Sequence, residues 1–200
     1  MKKQVEFKNS KTLLNLARSY ASECMEGARY QFMAKKCETQ NLEYVKTQLK
    51  TLAKHEMSHA KLFWDYITQY SEDIIDNIEI SAGYPFECGT LAEDFKFSAE
   101  NESELHDHIY PSFSKIAKDE GFLDIANAFK LVAEVEEYHS EILSNIYSKL
   151  KTNTLYKSPD AIIWTCSKCG NQNKAKSAPK TCPLCKLDQG YYEFPATNDN

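Results

Sequence analysis

Proline and glycine are scarce in this chain, six of each among 200 residues, and only Pro85 and Pro111 fall before residue 150. Frequent interruption of helices over that stretch is excluded, because these two residues are the strongest local breakers. No apolar run approaches the ~20 residues of a membrane span, and the opening MKKQVEFKNSKTLLNLARS lacks the apolar core of a secretory leader. A cytoplasmic protein without a membrane partner is expected. Positive charge is short as well: 24 Lys and Arg face 29 Asp and Glu, a net charge of -5 spread along the chain. Without a basic patch, nucleic acid is not expected as a partner. Cysteine is present but not in a disulfide pattern. Of seven, Cys24, Cys37 and Cys88 are scattered and odd in number, and the other four form two CxxC pairs. A reducing compartment with a metal site fits better than a disulfide framework.

What fills the first 150 residues is apolar side chains at helical period. Four helices are expected near 10–38, 41–70, 89–118 and 121–150, with caps at Asn9 or Ser10 and at Asn41, and with Gly121 separating the last two. Residues 71–88, SEDIIDNIEISAGYPFEC, read as a crossover along the outside, as parallel second and third helices require. Pro111 is expected to kink the third helix. After Leu150 the chain turns to polar KTNTLYKSPD, then to a segment rich in Cys, Lys and Pro. The domains expected are a four-helix bundle at 1–152, a linker at 153–160 and a small domain at 161–200. A tail of about forty residues needs a metal or an equivalent staple to hold a fold.

An internal repeat carries most of the chemical information. Glu23 is followed 33 residues later by Glu56-x-x-His59, and Glu102 is followed 34 residues later by Glu136-x-x-His139. Residues three apart share a helix face, so each Glu and His can bind one ion or bridge a pair. In FKLVAEVEEYHSEIL, Glu136 and His139 are read on one inward face with Leu131, Val132, Val135, Leu143 and Ile146. Buried carboxylates without counter-charge each cost several kcal/mol, which two metal ions would offset. Carboxylate oxygens with imidazole suit iron or manganese. One Glu from each of two helices and ExxH from each of the others is the di-metal arrangement of ferritin-like bundles.

Cys166 and Cys169 in WTCSKCGNQ and Cys182 and Cys185 in KTCPLCKLDQ are two knuckles with twelve residues between them. They point to one tetrahedral ion held by four thiolates, for which iron and zinc both fit.

The segments ECMEGARYQF, HEMSHAKLF, YPSFSKIAKDEGFLDIA, AEVEEYHSEI, WTCSKCG and APKTCPLC together resemble the rubrerythrin family over nearly the whole chain. The resemblance implies an all-α ferritin-like four-helix bundle with a small C-terminal rubredoxin-like domain. It implies a di-iron centre, one mononuclear iron in the four-cysteine site, and an NADH-linked peroxidase that reduces hydrogen peroxide to water. Electrons would come from rubredoxin or an NAD(P)H-dependent reductase, and the chain would form a head-to-tail homodimer. Glu23, Glu56, His59, Glu102, Glu136 and His139 match the family's ligand positions, with Glu56 and Glu136 as bridges. Tyr30 and Tyr110 match tyrosines near the site, where a hydrogen-bonded core role competes with a catalytic one. One departure matters: Leu105 stands where the family has a further carboxylate three residues after the helix-three ligand. Glu26, three residues after Glu23, occupies the symmetry-related place and is expected as a seventh ligand and proton donor, against the alternative of a solvent-facing side chain. His106 is a weaker candidate ligand. Iron oxidation for storage, or a non-enzymatic redox carrier or sensor, are the competing functions.

Overall fold

The computed structural model describes residues 5–71 and 73–194; residues 1–4, 72 and 195–200, which include the outer ends of both expected domains, lie outside the described residues. Helix α1 runs Lys11–Thr39 and α2 runs Glu43–Tyr70. Helix α3, Leu91–Glu104, passes through a π turn at Leu105–Ile109 and continues as α4, Tyr110–Glu120; α5 runs Leu123–Lys151. Counting α3 and α4 as one rod, the protein is the expected four-helix bundle. Local chemistry sets the ends. Ser10 Oγ accepts the Leu13 N–H at 3.0 Å, and Thr90 with Glu93 forms a reciprocal capping box. Asn41 (φ 55°) and Gly121 (φ 98°) take the left-handed conformation that reverses the chain after α1 and after α4.

α1 pairs with α2 and α3–α4 pair with α5, and the segment between α2 and α3 crosses the outside. Arg18 Nε donates to Ser81 O at 3.1 Å, Tyr84 Oη donates to Arg18 O at 3.2 Å, and Arg29 donates to Pro85 O. These bonds hold the crossover against α1. Among the described residues no helix is long and apolar enough to cross a membrane.

Two apolar clusters fill the bundle, one around Tyr30, Leu49, Leu52, Phe95 and Leu143, the other around Leu16, Phe63, Tyr110, Ile125 and Phe129. Each fully buried large side chain contributes about 1.5–3 kcal/mol. Between the clusters lies a layer of carboxylates that the apolar burial must carry. One expected inward residue is not there: Leu131 is 52 % exposed. It precedes Glu136 by five residues, about 140° around the helix, and Val132 and Ala133 are buried in its stead. Pro111 sits in the first turn of α4, directly after the π turn, where the Tyr110 N–H reaches back to Leu105 O. The expected kink takes the form of one extra residue in a helical turn.

The C-terminal domain holds an antiparallel pair, β1 Lys157–Thr165 and β2 Gln172–Ser177, so strand begins within the stretch read as linker. Trp164 is buried and its Nε1 donates to Ala175 O at 2.9 Å. This domain packs against the turn between α1 and α2, where Tyr44 meets Phe194 edge-on at 5.1 Å.

Candidate metal centres

The two ExxH pairs stand on α2 and α5, with Glu23 on α1 and Glu102 on α3. Their donor atoms collect in two overlapping groups, Glu23, Glu56, His59 and Glu136 in one and Glu56, Glu102, Glu136 and His139 in the other; within each, all lie within 4.8 Å of one another. Both imidazoles turn Nδ1 inward. His59 Nδ1 lies 3.2 Å from Glu23 Oε2, 3.3 Å from Glu56 Oε2 and 3.0 Å from Glu136 Oε1. His139 Nδ1 lies 2.9 Å from Glu56 Oε1 and 2.7 Å from Glu136 Oε2. Glu56 and Glu136 therefore each offer one oxygen to each histidine, the disposition of carboxylates that span two ions.

The four glutamates and His139 are at most 1 % exposed. Glu56 Oε1, Glu102 Oε2, both Glu136 oxygens and His139 Nδ1 are buried and make no aligned hydrogen bond. The atoms crowd one another without satisfying one another. Orphaned buried polar atoms of this kind cost several kcal/mol, and two cations offset that cost with the donors already in place. The donor set fits a pair of iron ions.

Protons do part of this work in the metal-free chain. Burial pushes the Glu23 and Glu102 carboxyls well above the usual range, and neighbouring Glu136 and Glu56 add to the shift. Burial opposes charge on His59, but contact with Glu136, Glu23 and Glu56 outweighs it and raises the imidazole to about 12. His139 rises to about 9 by the same balance with Glu136 and Glu56. Burial would raise Glu56 too, yet its contacts with His139 and His59 bring it down to about 2. Iron binding displaces these protons, so affinity falls as pH falls.

Two tyrosines brace the outer ligands across the bundle. Tyr30 on α1 donates to Glu102 Oε1 on α3, and Tyr110 on α4 donates to Glu23 Oε1 on α1. The pairing exposes a two-fold relation and locates its one irregularity. From Glu23 to Tyr30 is seven residues and from Glu102 to Tyr110 is eight, whereas Tyr30 to Asn41 and Tyr110 to Gly121 are both eleven. Asn41 to Glu56 and Gly121 to Glu136 are both fifteen. The unequal spacing of 33 and 34 is thus the π turn, which absorbs one residue and keeps Tyr110 facing Glu23.

Glu26 is 1 % exposed and stands outside both four-residue groups. Its Oε1 accepts from Asn101 Nδ2 at 3.0 Å and its Oε2 is 3.6 Å from Arg29 Nε. Burial raises its carboxyl to about 7 against the pull of Arg29. Leu105 is buried in the apolar cluster beside Tyr110. His106 bonds through Nδ1 to Ala133 O at 2.8 Å, and its Nε2 is 3.7 Å from Asp107. His55 was not anticipated: its Nδ1 lies 3.1 Å from His139 Nε2, and the rings stack at 5.3 Å. With His139 Nδ1 turned to the carboxylates, its Nε2 is the nitrogen left to pair with His55. The available signal was its place directly before Glu56, one helical turn before His59.

In the small domain Cys166 Sγ lies 3.8 Å from Cys185 Sγ, and Cys169 Sγ 3.6 Å from Cys182 Sγ. These are edge lengths of a tetrahedron around an ion about 2.3 Å from each sulfur. Gly170 (φ 71°) follows the first knuckle and Lys186 (φ 63°) follows the second, so both loops close alike. The backbone N–H groups of Cys185 and Leu184 lower the Cys182 thiol to about 6, toward the thiolate that binds metal.

The rubrerythrin family model matches residues 15–147 and 96–164. Rubrerythrin-1 of Clostridium acetobutylicum is 32 % identical over 192 residues, covering 96 % of this chain and 97 % of that protein. Rubrerythrin of Porphyromonas gingivalis is 31 % identical over 96 % of this chain and 93 % of its own length. Among solved structures, nigerythrin in a mixed-valence state aligns at TM-score 0.60 and 20 % identity, over 96 % of this chain and 94 % of that one. The bacterioferritin of Desulfovibrio desulfuricans aligns at 0.59 and 21 % identity, over 71 % of this chain and 81 % of that one. These two share the fold. With a di-iron donor set in the bundle and a four-cysteine iron site after it, the chain belongs to the rubrerythrin family.

Proposed function

We propose that the protein is a peroxidase of the cytoplasm that reduces hydrogen peroxide to water, H2O2 + 2e⁻ + 2H⁺ → 2H2O, with electrons entering at the four-cysteine iron. When bound, the di-iron pair supplies Lewis acidity and the two electrons that break the O–O bond. One observation carries the reading: a buried di-metal donor set and a four-thiolate site occur in one chain. A protein that only oxidised iron for storage would need no electron supply. Glu56 and Glu136 set the spacing of the two positions, while Glu23 with His59 and Glu102 with His139 complete them. Tyr30 and Tyr110 hold the outer carboxylates and, with Glu26, are the proton donors nearest the ligands. Rubredoxin or an NAD(P)H-dependent reductase serves as electron donor.

Reducing the iron-loaded protein anaerobically and then adding peroxide beyond the ~1.5 equivalents per chain that three ferrous irons can reduce tests this. The visible band of the oxidised thiolate iron returns within the mixing experiment, and iron per chain stays near three. A band that stays bleached, or a chain that accumulates many ions, removes the peroxidase reading.

Glu26 is proposed as the seventh ligand, exchanging with His139 when the iron changes oxidation state, while His59 stays bound throughout. Its burial and the proximity of Glu102, Glu56 and Glu136 support this. Glu26→Ala then loosens one of the two irons and slows peroxide turnover about 10- to 100-fold, in the range of losses around metal sites. Unchanged iron stoichiometry together with unchanged turnover would sink the assignment.

A head-to-tail dimer is proposed from distance. The four-cysteine domain sits by Asn41, and Glu56 lies fifteen residues further along α2, about 22 Å by helical rise. Electron tunnelling weakens steeply over such a span, and a partner chain running the other way shortens it.

A further inference from the structure

We infer that peroxide reaches the ligand layer through a cavity between α1 and α3–α4, beneath residues 81–85, and arrives on the Leu105 side of Glu23. The identity of the molecule rests on the peroxidase reading; the route does not. The cavity is about 460 Å³ and is walled by Ser19, Ser22 and Asn101, with Leu105 and Tyr110 among its lining. These residues stand next to the ligands. Ser22 precedes Glu23, Ser19 lies one turn before it, Tyr110 donates to Glu23, and Asn101 donates to Glu26 at 3.0 Å.

Ser19 is the second, independent observation. It is 2 % exposed, and its Oγ has no hydrogen-bond partner among the described residues. A buried hydroxyl left unpaired beside a cavity is satisfied by a small molecule that both donates and accepts, which peroxide and water do. The volume far exceeds the roughly 10–15 Å³ that one water needs.

The two halves of the site differ in what closes them. Around Glu102 and His139, Glu26 fills the outer space and is held by Asn101 and Arg29. The two-fold relation puts Leu105 at the equivalent place beside Glu23, and leucine offers neither charge nor hydrogen bond there. Approach from the cavity therefore meets an apolar side chain before Glu23, and no buried carboxylate must be displaced. Two other cavities fit less well. The groove of about 770 Å³ beside Trp64 and Ile78, and that of about 390 Å³ beside Phe32 and Phe86, include none of Ser19, Ser22, Asn101 and Tyr110, the residues that neighbour Glu23 and Glu26.

The roof is the crossover, tied down by the Arg18–Ser81, Tyr84–Arg18 and Arg29–Pro85 bonds. That arrangement gives a test in both directions on the full iron-loaded chain. Ser22→Leu narrows the wall; the rate at which azide develops its visible band in the oxidised protein falls at least about tenfold, and so does peroxide oxidation of the reduced protein. Ser144→Leu, on the exposed face of α5, leaves both rates as they were. Rates in Ser22→Leu equal to those of the unsubstituted protein overturn the route. If the unsubstituted protein does not react with peroxide but azide entry is slowed by Ser22→Leu, the route stands and the peroxidase reading falls. Should Ser22→Leu hold less iron, Tyr84→Ala decides, since it loosens the roof without filling the cavity: faster azide entry supports the route, and an unchanged rate overturns it.

Discussion

Glu136→Leu loses the iron pair, keeps the single thiolate iron, and in metal-free form unfolds at a lower temperature than the metal-free unsubstituted protein. The first two outcomes follow from Glu136 giving one oxygen to each histidine group, 3.0 Å from His59 Nδ1 and 2.7 Å from His139 Nδ1. No other side chain on α5 reaches both positions. Iron per chain falls from about three to about one, and peroxide turnover falls by more than the roughly 100-fold that outer partners of a metal site cost when removed. The third outcome concerns stability alone. In the metal-free chain burial opposes charge on His59 and His139, and contact with Glu136 is the largest of the effects that raise them to about 12 and about 9. Removing one partner of a buried ion cluster leaves the opposite charge uncompensated and destabilises by about 3–5 kcal/mol. Calorimetry of both metal-free proteins reads the sign. A higher unfolding temperature for the variant would mean that repulsion among the buried glutamates outweighs the hold of Glu136 on the two histidines.

The double substitution Cys182→Ser and Cys185→Ser removes the thiolate iron and leaves the iron pair, cutting reductant-driven turnover at least about 100-fold. Two of four ligands at the corners of a tetrahedron are lost, and with them the staple of a domain whose apolar interior is small. Reduced chemically by a small dye, the same variant still consumes one equivalent of peroxide, because the bundle is untouched. Mixing it with Glu136→Leu tests the head-to-tail arrangement. In mixed dimers an intact thiolate iron on one chain faces an intact iron pair on the other, and about a quarter of the turnover returns if electrons cross between chains. No recovery on mixing would mean that each chain feeds its own pair.

Most of the ligand set was legible because period and spacing are conditions that the chain must meet. A carboxylate and an imidazole three apart on an apolar face have few alternative uses, and a near-repeat of them has fewer. The spacing of 33 against 34 looked like looseness, and the helix hid its meaning. Only in three dimensions does the extra residue fall into one π turn, since an inserted residue shifts every later side chain by about 100° unless the helix widens to absorb it. His55 was invisible for a different reason. Its value depends on which nitrogen of His139 faces the carboxylates, and that is a property of two helices together. Leu131 was misread outward-for-inward because apolar character alone does not fix an angle on a helix carrying as many apolar residues as α5.

Gly190 carries a consequence beyond its own loop. A Cβ there would stand 1.7 Å from Asn41 O, so the small domain meets the turn after α1 backbone to backbone, where no side chain of any size is tolerated. A domain seated in this way is a docked module rather than a tethered arm. Its reach is set by the shape of the seat and not by the slack of the chain leading to it. The placing of the four-cysteine site then depends on this contact and on Leu155, buried in the same apolar cluster, more than on the exposed residues 151–153.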